Sequence, residues 1–155
     1  MLKLALCMTI IGASVAIGIS LSSKLSQRVE ILSQYMKLLE EVSVRLRYTG
    51  DPLAVLFQDN FVGYTFSREK PFENQFQEMT RRSKDVLLPI DIRLLDDFAH
   101  DLGAGDSESQ LQHIRLYIKI LEERSKEARE DLKSKGKLYR ILPLSAGIAV
   151  AVLLI

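Results

Sequence analysis

The fold of this chain is set by residues 25–46, which read LSQRVEILSQYMKLLEEVSVRL. Apolar residues recur in this stretch at alternating steps of four and three, a spacing that places them on one stripe of a coiled-coil-like helix. The stretch therefore predicts a long helix that buries one face. The predicted stripe consists of Leu25, Val29, Leu32, Met36, Leu39, Ser43 and Leu46, and only Ser43 breaks its apolar character.

The same spacing returns near the other end of the chain and predicts a second long helix. Both patterns run without proline towards the apolar segment at their own end of the chain. Membrane spans are expected at both ends of the chain, as described below, so the chain should leave and return to the same membrane face. The two long helices should therefore run antiparallel as a hairpin. The second stripe consists of Leu111, Ile114, Ile118, Leu121, Ser125, Ala128 and Leu132.

Shorter helices are predicted between the two long ones, because this part of the sequence contains capping residues and prolines of the kind that begin helices. Three helix starts are predicted, at Asp51 with Pro52, at Pro71 and at Asp91. The last long helix should be capped by Asp106 or Ser107. No alternating strand pattern of useful length is found in the sequence, and residues 60–70 favour an ordered loop. We therefore expect an all-α bundle of two long antiparallel helices and about three short ones.

Apolar runs at both ends of the chain predict two membrane spans. Residues 4–23 carry no ionisable side chain except the thiol of Cys7, and at ~1.5 Å per residue such a helix reaches the ~30 Å of a bilayer core. Residues 141–155 are shorter, so Leu138 and Tyr139 should join that span while the Arg140 side chain reaches the lipid headgroups. The expected division is an N-terminal span at 1–23, a helical domain at 24–137 and a C-terminal span at 138–155. A signal peptide cleaved near Ala16 is the alternative for the first run.

The orientation follows from the positive-inside rule. Lys133, Lys135, Lys137 and Arg140 precede the second apolar run with no acidic residue after Asp131. The central domain is therefore expected in the cytoplasm.

Charge and cysteine content narrow the functional class. The chain has 21 Lys and Arg against 20 Asp and Glu, and this balance argues against a nucleic-acid-binding protein, which needs a basic face. Cys7 is the single cysteine, so no disulfide can form within one chain.

The closest sequence pattern to a catalytic or metal site is formed by Asp97, His100 and Asp101. Helical spacing could bring these three side chains to one face. Phe98 and Leu102 must face the core, however, so the three polar side chains point largely towards water. The sequence also offers no residue that we can name as a fourth metal ligand. We therefore predict no catalytic residue, no cofactor and no metal, and the alternative is a small membrane-anchored metal-dependent enzyme built on these three residues. His113 is expected to pack rather than to act in catalysis.

An ordered combination of short motifs resembles the stage III sporulation protein AB family of endospore-forming bacteria over essentially the whole chain. The motifs are MLKL (1–4), LLE (38–40), DPL (51–53), FAHDLG (98–103), SQLQHI (109–114) and KLYR (137–140). Ser43 and Arg45 depart from the family pattern, since acidic residues are usual there. The resemblance implies a soluble part similar to the F domain of type II secretion systems.

The resemblance also implies a structural role in the channel complex between mother cell and forespore. The expected location is the outer forespore membrane, and the expected partners are the cytoplasmic secretion-type ATPase of the same complex, its other membrane proteins and the lipid bilayer. A self-associating membrane coiled coil unrelated to sporulation stays an alternative.

The partner surface is expected at the tip farthest from the membrane, where the first long helix ends and the last begins. Arg and Tyr are the side chains that most often carry interface energy. The candidate residues are Arg45, Arg47, Tyr48, Gln110, His113 and Arg115.

Overall fold

The computed structural model describes residues 2–49, 64–67, 69–102 and 106–154. These residues form four α-helices, which confirms the all-α prediction for the described part of the chain. The helices are α1 (Leu2–Thr49), α2 (Phe72–Arg82), α3 (Pro89–Asp101) and α4 (Ser107–Leu154).

The two long helices are confirmed, and each continues into the apolar end of the chain. Both α1 and α4 contain 48 residues. Neither Gly136 nor Pro143 ends α4. Helix α1 is described up to Thr49, and the stop predicted at Thr49 and Gly50 stays a prediction.

The buried stripe of α1 differs in part from the predicted one. Leu32, Leu39 and Leu46 are buried as expected, but Tyr35 and Val42 are buried where Met36 and Ser43 were predicted. Met36 and Ser43 lie at the edge of the buried face. The buried stripe of α1 is therefore rotated towards the aromatic side chains of the other helices. The apolar spacing within α1 alone does not show this rotation.

The stripe of α4 follows its prediction more closely. Ile114, Leu121, Ser125 and Ala128 are buried, and Tyr117 joins them. Leu111, Ile118 and Leu132 are half-buried. Asp106 is the residue that caps this helix, since its carboxylate accepts a hydrogen bond of 3.1 Å from the backbone N–H of Ser109.

Helices α2 and α3 pack against each other. Pro71 precedes α2 as predicted, and Phe76 and Met79 are buried on it. The prediction that Asp91 caps α3 from outside is wrong, because the helix already begins at Pro89. Asp91 lies in the first turn, and its carboxylate accepts a 3.1 Å hydrogen bond from the backbone N–H of Leu88.

A buried glutamine attaches the segment before α2 to that helix. The side-chain amide of Gln75 donates to the carbonyl oxygens of Ser67 and Lys70, both at 2.8 Å, and its oxygen accepts from the N–H of Ser67 at 2.6 Å. Tyr64 and Phe66 in this segment are buried. The ordered loop predicted at 60–70 is thus confirmed for its described residues, whereas the helix predicted after Asp51 lies outside the described residues.

The chain divides into two compact units. The terminal unit comprises Met1–Val29 and Glu127–Ile155, and the central unit comprises Glu30–Lys126. In the terminal unit α1 and α4 run antiparallel, because Arg28 pairs with Asp131 while Ser22 lies beside Gly136. Arg28 is buried, and its guanidinium lies 3.5 Å from the Asp131 carboxylate.

Among the residues that the structure describes, no helix combines the length and the apolar character needed to cross a membrane. The two membrane spans therefore stay predictions, as do the segment boundaries at 23 and 138.

Candidate functional site

Aromatic side chains from all four helices form the core of the central unit. The ring of Phe76 contacts Tyr35 of α1 and Phe98 of α3, with centroids 5.7 and 5.4 Å apart. Phe98 in turn contacts His113 and Tyr117 of α4 at 5.7 and 5.2 Å. These contacts join α1, α2, α3 and the first part of α4, where some of the predicted partner residues lie.

A buried ion pair joins α3 to α4 within the same unit. The side chain of Asp91 is fully buried, and its Oδ1 accepts a 3.1 Å hydrogen bond from Nε of Arg124. The other carboxylate oxygen is bonded to the backbone N–H of Leu88. A buried charge is stable only when it is paired and hydrogen-bonded, and both conditions are met here, which explains the position of Arg124.

The predicted partner residues at the end of α1 lie at the surface. Arg45 forms an ion pair with Glu41 one turn earlier. Arg47 is exposed, and Tyr48 is 80% exposed. Val44, one turn before Tyr48, is also exposed, so this face of α1 presents one apolar and one aromatic side chain beside its charges.

The predicted partner residues at the start of α4 divide between surface and core. Arg115 is exposed, and Gln110 is half-buried. His113 belongs to the core, because its ring stacks on Phe98 and contacts Tyr117 at 4.7 Å. The packing role expected for His113 is thereby confirmed, and its imidazole is a poor candidate for a partner contact.

The surface around Arg115 contains a shallow depression that the sequence did not predict. It is lined by Gln112, Arg115, Leu116 and Lys119. Leu116 is 54% exposed. An exposed leucine between two cations is suited to a partner with apolar and acidic side chains.

The sequence-predicted metal set is exposed in the structure. Asp97, His100 and Asp101 all face solvent on α3. His100 Nδ1 lies 3.1 Å from the Glu73 carboxylate, and this hydrogen bond raises the pKa of His100 above its ordinary value. Within the part of the chain that the structure describes, no group of three or more His, Cys, Asp and Glu residues is arranged to hold a metal ion.

A polar cluster inside the central unit was missed by sequence reasoning. Tyr35 is fully buried, and this burial raises its pKa to about 12. The hydroxyls of Thr80 and Ser83 and the carboxyl of Asp96 lie near its phenol, and burial also raises the pKa of Asp96. Tyr35 occupied no predicted stripe position, and no feature of the sequence paired it with Asp96.

Comparison with known protein families gives one result. The family model described as Stage III sporulation protein AB matches residues 3–155. No curated protein and no solved structure gave a significant match, so the similarity to the type II secretion F domain stays a prediction.

Proposed function

Because the chain belongs to the stage III sporulation protein AB family, we propose that it is a non-enzymatic adaptor of the channel complex between mother cell and forespore. Family membership supports a role in stage III of sporulation, and the match over residues 3–155 is the observation on which the proposal depends. The adaptor would couple a cytoplasmic secretion-type ATPase to membrane proteins of the complex and be required for endospore formation.

The proposal includes attachment to the outer forespore membrane by both ends of the chain. Its support is the apolar character of residues 4–23 and 141–155 and the exposure of large apolar side chains there. Ile17 and Ile19 of α1 and Ile141 and Leu142 of α4 are all more than half exposed. Such surfaces are unusual in water-soluble proteins and are typical of contact with lipid or protein.

The proposed contact with the ATPase involves the exposed ends of α1 and α4. Arg47, Tyr48 and Arg115 are exposed there, and Arg45 forms an exposed ion pair with Glu41. An exposed pair of this kind contributes roughly 0–1 kcal/mol, so the contact with Glu41 adds little to the stability of α1. Leu116 and Lys119 extend the surface along α4.

Sporulation in a host that lacks its own copy of the gene distinguishes an adaptor from an enzyme. We expect the chain with Asp97→Ala, His100→Ala and Asp101→Ala to restore spore counts to the wild-type level, because these exposed side chains have no role in an adaptor. Leu121→Asp, a change in the core of α4, is the control that should fail to restore them. Loss of sporulation in the triple variant, with the protein present at normal amount, would contradict the proposal and favour the enzyme.

A further inference from the structure

A groove between α1 and α4 in the terminal unit has the composition of a binding site for an anionic group. It is lined by Ser22 of α1 and by Leu132, Lys133, Gly136 and Lys137 of α4. Gly136 has no side chain in this space, and a Cβ there would lie at ordinary van der Waals distance from the Leu132 side chain, 3.4 Å, and from the Ser22 hydroxyl oxygen, 3.8 Å.

Two lysines at the groove carry charge that the described residues do not neutralise. Lys133 and Lys137 are exposed and lie one turn apart, and neither forms an ion pair within the described part of the chain. Lys135 differs, since its ammonium is 2.6 Å from the Asp131 carboxylate. Like charges one helical turn apart repel each other, so an anion placed between Lys133 and Lys137 would be bound favourably.

The surroundings of the groove select a lipid rather than a soluble anion. No acidic residue follows Asp131 in the sequence, and the exposed apolar residues Leu21, Leu138 and Ile141 lie close by along the same helices. Most of the exposed groove lining is apolar. A cationic pair at the edge of an apolar surface matches a phosphate headgroup joined to acyl chains, and basic pockets between membrane helices bind such headgroups.

We propose that this groove binds the phosphate of an anionic phospholipid, with Lys133 and Lys137 contacting the phosphate and Gly136 providing the space for it. The Ser22 hydroxyl, buried at the groove, lies on the α1 side of the same space. The proposal rests on the membrane attachment proposed above. Binding at this groove would make the chain prefer membranes that contain anionic lipid, in addition to inserting its apolar side chains into a bilayer.

The test is a lipid titration of the full chain purified in a neutral detergent. Binding of phosphatidylglycerol, of phosphatidylcholine and of inorganic phosphate is measured for the wild type and the variants. We expect phosphatidylglycerol to bind more tightly than phosphatidylcholine, and the double change Lys133→Gln and Lys137→Gln to remove that preference. Since a lysine at an anionic membrane surface contributes about fivefold, loss of both should lower the affinity for phosphatidylglycerol by about 25-fold.

Two further variants make the result specific to the groove. The double change Lys84→Gln and Lys126→Gln removes two exposed lysines of the central unit and should leave the lipid preference intact. Gly136→Leu should weaken phosphatidylglycerol binding with both lysines present, and a circular dichroism spectrum like that of the wild type shows that the helices are kept.

Three results would overturn the inference. They are equal binding of the two lipids, equal weakening by the control pair, and inorganic phosphate binding as tightly as phosphatidylglycerol, which would make the groove a site for a soluble anion. Failure of the membrane attachment itself would be seen separately, as a full chain that stays in the aqueous fraction of cell lysates without detergent.

Discussion

At the scale of single residues, the Asp91–Arg124 pair determines how α3 is held against α4. Asp91 is fully buried, and its carboxylate is bonded to Arg124 and to the Leu88 N–H. Removing one partner of a buried pair leaves a charge without compensation, which destabilises a protein more than the pair itself stabilises it.

Arg124→Leu should therefore lower the free energy of unfolding by about 3 kcal/mol. The measurement is thermal unfolding of the full chain in mild detergent, followed by circular dichroism. Lys126→Leu, which adds the same side chain at an exposed position of the same helix, should change the midpoint little. If the Arg124→Leu chain were as stable as the Lys126→Leu control, the buried Asp91 carboxylate would not depend on its ion pair with Arg124.

The pair of His100 and Glu73 makes a pH-dependent contact between α3 and α2. The hydrogen bond to Glu73 raises the pKa of His100, so the stabilisation is fully present below the ordinary histidine pKa and is lost as pH rises through the raised value. NMR titration should show His100 losing its proton at higher pH than an ordinary histidine. Glu73→Gln should move that pKa down, and an unchanged pKa in this variant would contradict the contact.

At the scale of elements, the stability of the central unit depends on the stripes of α1 and α4. Leu39 and Leu121 are both fully buried. Leu39→Asp or Leu121→Asp should unfold the central unit, because each places an unpaired charge in an apolar core. Glu123→Ala, at an exposed position of α4, is the matched control. Circular dichroism melts that show Leu121→Asp as stable as Glu123→Ala would mean that the assignment of the stripe is wrong.

The sequence predicts these elements well where the signal is local. Both long helices and the Asp106 cap of α4 follow from spacing and capping residues. The burial of Tyr35 does not follow, because it depends on contact with Phe76 from another helix. For the same reason the Arg28–Asp131 pair, 103 residues apart in sequence, could not be inferred from either helix alone.

The candidate partner surface likewise has some features that follow from local sequence and others that depend on contacts between helices. The exposure of Arg47 and Tyr48 is consistent with their place near the helix end, but the core position of His113 comes from stacking on Phe98 of α3. The depression around Leu116 could not be predicted, since an isolated leucine outside the stripe gives no indication of what lies beside it.

At the scale of the whole molecule, the proposed orientation in the membrane depends on the basic residues that precede the C-terminal apolar run. Lys133, Lys135, Lys137 and Arg140 should keep the central unit in the cytoplasm. A reporter that is active only in the cytoplasm should therefore work when inserted at residues 103–106. The same reporter fused after Ile155 should be silent, and the reverse pattern would overturn the proposed orientation.

The proposed adaptor function requires that the chain bind the proposed partner, the cytoplasmic ATPase of the sporulation complex, through the exposed ends of α1 and α4. Arg45 and Arg47 lie at that end of α1, and reversing their charges should disturb a partner contact without disturbing the core. The ion pair of Arg45 with Glu41 is exposed, so its loss costs little stability. The matched control reverses the charges of Lys84 and Arg93, two exposed residues that belong to neither α1 nor α4.

The most direct measurement is the dissociation constant between the full chain in detergent and the purified ATPase. Arg45→Glu with Arg47→Glu should weaken binding by about tenfold, or about 1.4 kcal/mol, with an unchanged thermal melt, while Lys84→Glu with Arg93→Glu should bind as the wild type does. Binding that is undiminished in the first variant would place the interface elsewhere on the chain. No binding of the ATPase by the wild-type chain would contradict the adaptor itself.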